Sequence, residues 1–122
     1  MALAKNIMQG GFSAGQARAI NGSIGTAVSA AGTVITDATD LTNDVNYVST
    51  VASGSGVQLF AAEVGDSQVV YNGGANTLKV YPDVSTAQIN QITAGSAHSL
   101  PTNTSALYVK VSTTRWVAFQ SA

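Results

Sequence analysis

His98 is the one histidine of the chain, and Ser99 beside it with Asp83 upstream invites a Ser-His-Asp reading. Neighbouring residues on a strand point to opposite faces, which would keep His98 and Ser99 apart. A hydrogen-bonded or exposed strand histidine is the plainer reading. Asp37, Asp40 and Asp44, with Asn43 and Asn46 close by, carry the oxygen ligands that calcium takes. Their spacing lacks D-x-[DN]-x-[DN]-G and a closing Glu, so turn formation and solvation come first. The clusters Gly10-Gly11, Gly15, Gly22 and Gly25 have no Gly-Lys-Ser/Thr ending and follow no clear strand, so they do not read as phosphate loops. Tyr47, Tyr71, Tyr81, Tyr108 and Trp116 could stack on a sugar, but on strands such side chains serve more often as core or cross-strand pairs. These residues point to no catalytic group, no metal and no cofactor.

The elements that would position them are short strands. Ser67–Tyr71 and Thr77–Tyr81 flank Asn72-Gly73-Gly74-Ala75-Asn76, residues that tolerate positive φ, which predicts a β-hairpin. Leu78 and Val80 alternate with Thr77, Lys79 and Tyr81, giving one buried and one wetter face, and Pro82 ends the strand. Further strands are expected at Thr33–Thr36, Val45–Val51, Val57–Phe60 and Ala97–Leu100. In Ala106–Val111, Leu107, Val109 and Val111 alternate with Tyr108 and Lys110. Ser112-Thr113-Thr114 closes that run as a hairpin onto Arg115–Phe119, where Val117 and Phe119 share a face. Asp37–Asp40, Ser53–Gly56, Thr93–Gly95 and Pro101–Asn103 read as turns. Short strands at roughly 10-residue spacing predict an all-β fold, an antiparallel β-sandwich or barrel, over residues 33–122.

Residues 1–32 differ from the rest. Closely spaced glycines argue against a long helix, although Ser13 could cap a short turn over Ala14–Ile20. A solvating linker has no use for Phe12, Ile20 or Ile24. The segment therefore reads as an extended N-terminal arm that orders on a partner through those three side chains.

Charged residues make up 9% of the 122, against about 25% in an average domain, and the net charge is −1. Little repulsion keeps copies apart, which favours a subunit of an assembly. No basic footprint for nucleic acid is present. Cysteine is absent, excluding disulfides and cysteine-held zinc. No run approaches the roughly 20 apolar residues of a membrane helix. The N-terminal residues lack a run suited to a signal peptide, predicting synthesis in the cytoplasm without export by their own signal.

GDSQVVYNGGANTLKVYP at 65–82, INQITAGSAHSL at 89–100 and YVKVSTTRWVAF at 108–119 together resemble small virion proteins of tailed bacteriophages. The resemblance spans roughly residues 33–120 and rests on turn and strand motifs. It implies a non-enzymatic, trimeric, β-structured capsid decoration (cement) protein with the major capsid protein as partner. A tail fibre or spike component that binds host glycan is the alternative it implies. It brings no catalytic residues.

Overall fold

In the computed structural model, residues 23–121 are described, and their elements are all strands. They are β1 (Ile24–Ser29), β2 (Thr39–Asp40), β3 (Val45–Thr50), β4 (Gly56–Gln58) and β5 (Ser67–Asn72), followed by β6 (Leu78–Tyr81), β7 (Gln88–Ile89), β8 (His98–Leu100), β9 (Ser105–Ser112) and β10 (Arg115–Gln120). They form a six-stranded sheet ordered β1-β3-β5-β9-β10-β7 and a four-stranded sheet ordered β2-β4-β6-β8.

The all-β expectation holds, but the antiparallel sandwich or barrel does not. β1, β3 and β5 stack parallel in the larger sheet, as do β2, β4 and β6 in the smaller. β1, β3 and β5 thus each pass through a bend into a strand of the smaller sheet, and the three strand–bend–strand arches pile up like coils of a solenoid. Between named strands, antiparallel pairing joins β9 to β5, β8 to β6 and β10 to β9. β7 then joins β10 in parallel.

The expected hairpin at 67–81 is such an arch. β5 and β6 do not pair with each other; they lie in different sheets. Asn72 organises the bend. Its side-chain amide donates to the carbonyls of Asn76 and Leu100, and its side-chain oxygen accepts from the Gly74 N–H. Neither Gly73 nor Gly74 has a positive φ; among the described residues the positive-φ glycines are Gly32, Gly54, Gly65 and Gly95. The Gly73-Gly74 pair serves close approach instead. A Cβ on Gly73 would sit 2.7 Å from the Tyr47 ring, and one on Gly74 would sit 2.6 Å from Val51 of the preceding arch. Asn76 ties the two arches by donating to the Val51 carbonyl.

Residues 33–36 are turn rather than strand. Asp37 accepts from the Thr33 and Val34 N–H groups, and these bonds hold its carboxyl below the usual carboxylate range. Within the expected turn at 37–40, Thr39–Asp40 pairs as β2. Ile24–Ser29, expected in the extended arm, is a strand of the larger sheet paired with β3.

One apolar core lies between the sheets, built from Val48, Val70, Ala106, Tyr108 and Trp116 on one side and Val57, Leu78, Val80 and Leu100 on the other. On β9 the inward residues are Ala106, Tyr108 and Lys110, so Leu107 and Val111 face out. On β10 Trp116 is buried and Phe119 is exposed. Several polar groups that enter the interior bring their partners. The Gln68 side chain both accepts from and donates to the Phe60 backbone.

Candidate interaction surfaces

The outward face of the six-stranded sheet departs from the usual division of a β layer into an apolar inner and a polar outer side. Strand registers place side chains of one face in rows running across the sheet. Ile24 is level with Val45, Val45 with Val69, Val69 with Leu107, and Leu107 with Phe119. That row of five apolar side chains crosses five strands, about 19 Å at normal strand spacing. Beside it Tyr47 is level with Tyr71, their ring centroids 5.1 Å apart, and Tyr71 with Ser105. On the other side Ser67, Val109 and Val117 form a third row. None of these eleven positions carries a charge. Ile24 is 67% exposed, Phe119 61% and Tyr47 44%, so the rows lie open to solvent.

The smaller sheet carries a different feature on its outer side. Lys79 and Ser99 are cross-strand partners there. With Tyr81 they floor an open groove of about 400 Å³, walled by Val34 and Ile35 on one side and Gly95, Ser96 and Ala97 on the other. Tyr81 donates its hydroxyl to the Thr33 carbonyl, fastening the 33–37 turn to the groove's edge. Burial, and then the nearby Asp37 carboxylate, raise the Tyr81 pKa, so the phenol stays protonated as a donor.

Behind the larger face sits a buried polar node. The Lys110 ammonium lies 2.7 Å from the Asp83 carboxylate, donates to the Ala62 carbonyl, and sits 5.7 Å from the centre of the Trp116 ring. Trp116 donates its indole N–H to the other Asp83 oxygen. Every strong group of the node is satisfied by another, which suits a structural clamp.

The residues whose types could do chemistry do not converge. Asp83 is engaged with Lys110 and Trp116, and His98 with Tyr108, its Nδ1 2.8 Å from the tyrosine hydroxyl. Tyr108 is fully buried, and burial pushes its pKa up. Ser99 is exposed on the groove side. Asp44 is joined to Ser23, remote in role from the turn that Asp37 closes. No group of three or more His, Asp or Glu side chains suited to a metal occurs among the described residues. Of the aromatic set, Tyr81, Tyr108 and Trp116 are buried, and only Tyr47 and Tyr71 stand together on an outer face.

Of the three side chains expected to hold a partner, Phe12 and Ile20 lie outside the described residues. Ile24 opens β1 and heads the five-residue apolar row. The other members of that row escaped sequence reasoning. The alternation of Leu107, Val109 and Val111 was visible, but only the burial of Tyr108 and Lys110 tells which side faces water. No family model matches the chain, and neither a curated protein nor a solved structure matches it significantly.

Proposed function

We propose that this protein is a non-enzymatic structural subunit, a capsid decoration (cement) protein of a tailed bacteriophage. In this reading it acts as a homotrimer made in the host cytoplasm. It binds the outside of the head and stabilises contacts between major capsid proteins. The observation that carries the reading is the set of open apolar rows on the outer face of the six-stranded sheet, with no charge at any of their eleven positions. An apolar patch of that extent belongs to a protein that works in contact with others. The likeness of residues 65–82, 89–100 and 108–119 to small phage virion proteins supplies the kind of assembly.

Attachment to the head falls to the arm. Phe12 and Ile20 each contribute about 1.5–3 kcal/mol when fully buried, and three copies per oligomer turn modest contacts into tight binding. With so few charges, binding should change little with salt. The test adds wild-type and Phe12→Ser/Ile20→Ser protein to heads lacking it, at low and high salt. Wild type is expected to decorate the heads at both and raise the temperature at which they break open, with the variant failing. Equal decoration by both proteins removes the arm as the clamp. No decoration and no stabilisation by wild type removes the cement reading.

The groove over Lys79 favours one second reading, a tail fibre or spike component that holds a host glycan. Lys79, Ser96 and Ser99 offer it a cation and two hydroxyls. Binding on a glycan array that is lost in Lys79→Ala would support that reading over the first.

A further inference from the structure

We infer that copies of this chain bury the outer face of the six-stranded sheet against one another, and that the row Ile24–Val45–Val69–Leu107–Phe119 forms the centre of that contact. The inference deepens the reading of the protein as an assembly subunit and rests on it, naming the face and its occupant.

Two observations select a second copy as the occupant. The first is charge. With no charged side chain in the three rows, the face offers a charged partner nothing to pair with. An identical face matches it, apolar row to apolar row, with Ser67, Ser105 and the tyrosine hydroxyls supplying polar points at the rim.

The second is area. An aromatic side chain offers about 150–250 Å², so Tyr47 and Phe119 at their observed exposures leave about 200 Å² open between them. Ile24, Val45, Leu107 and Val111 add a comparable apolar area, and Val69, Tyr71, Val109 and Val117 fill the gaps. The total is on the order of half the ~800 Å² that each partner gives to a standard interface, already concentrated in its apolar centre. It also falls within the range, about 300–600 Å², of the largest patch on a typical monomer.

The face is left accessible. On the inner side of the larger sheet Gln68 is bonded to Phe60, Asn72 to Leu100 and Lys110 to Asp83. Ordinary patterning would put such groups on the wet side of a sheet. Here the inner side carries them and the outer side carries valine, leucine and phenylalanine, an inversion that costs stability in an isolated chain and is offset when the outer side is covered.

The experiment compares wild type with Leu107→Lys/Phe119→Lys by analytical ultracentrifugation over micromolar concentrations. Both side chains are exposed in the single chain, so the variant should keep its fold, checked by its far-UV spectrum and cooperative melting. Wild type is expected to sediment as an oligomer, and the variant to dissociate with an apparent Kd raised on the order of 100-fold or more. Lys79→Glu, on the other sheet, should leave association unchanged.

A second measurement covers the case in which the variant fails to fold. The chain has no cysteine, so Ser67→Cys within the face and Ser99→Cys outside it can each be probed with a maleimide. Slow labelling at position 67 that accelerates on dilution, with fast labelling at 99 throughout, is the expected result. A monomeric wild type, or an oligomer that survives in the folded variant, overturns the inference. So does protection of position 67 in a monomer that disappears on deleting residues 2–22, which would make the chain's own N-terminal segment the cover. An oligomer held by this face that does not decorate heads would remove the cement reading and leave the inference standing.

Discussion

Lys110 shows how strongly the surroundings of a residue can override its type. It lies on the inner side of β9 because Asp83, the Ala62 carbonyl and the Trp116 ring meet its ammonium there. Replacing one partner strands the other charge. Lys110→Met should therefore destabilise the protein by about 3–5 kcal/mol, and Lys110→Met/Asp83→Leu by clearly less. Urea denaturation of the three proteins checks this, and a double variant as unstable as the single one would show that the pair is not a coupled unit. His98 gives a pH dependence. Burial lowers its pKa below the ordinary 6.5, with the Gln120 hydrogen bond opposing. The unfolded chain then takes up the proton first as pH falls, so stability is complete above about 6.5 and declines through the window just below it. Between about pH 7.5 and pH 5 the urea midpoint of wild type should drop more than that of His98→Gln. Equal drops would assign the acid sensitivity to other groups.

At the scale of elements, the Asn72 bend determines whether β5 and β6 fold back on each other or pass into separate sheets. Asn72→Ala removes three hydrogen bonds and leaves the carbonyls of Leu100 and Asn76 without that donor, an expected loss of about 2–4 kcal/mol. Gly74→Ala should also destabilise, because its Cβ meets Val51 of the neighbouring arch. A thermal shift assay reads both, and an unchanged midpoint in Gly74→Ala would mean the arches can slide apart to make room. The hairpin expectation failed here for a physical reason. Strand–Asn-Gly–strand patterns record a reversal of direction, and a hairpin and an arch both reverse; what differs is the partner of each strand, which lies elsewhere in the chain. Local signals located β3, β4, β8 and the β9–β10 hairpin well, since β-branched runs bounded by turn residues suffice for that. They missed β2, whose two residues are extended only by pairing with β4. They also mistook Thr33–Thr36 for a strand, where the Asp37 carboxylate captures the backbone in a turn. The candidate surface was legible only as alternation; the side facing water is set by burial of Tyr108, Lys110 and Trp116.

For the whole molecule, β1 is the first of the described strands and holds one edge of the larger sheet. Residues 2–22 can be deleted without removing a described element, whereas deleting 2–31 strips β1 from β3 and bares the edge of β3. The shorter deletion should keep a cooperative thermal transition near that of wild type. The longer one should melt distinctly lower and be prone to aggregate through the exposed edge. If both melt alike, β1 contributes little to the sheet. β10, the last strand in the chain, does not occupy an edge. It is inserted between β9 and β7, and it delivers Trp116, the largest fully buried side chain among the described residues, to the core. On the ribosome, therefore, no amount of waiting lets the earlier strands finish the domain. The layer stays unzipped and the indole's place stays vacant until residue 120 has left the exit tunnel. A nascent chain stalled before that point would present its unfinished interior to chaperones and proteases, so synthesis of this protein is close to all-or-nothing.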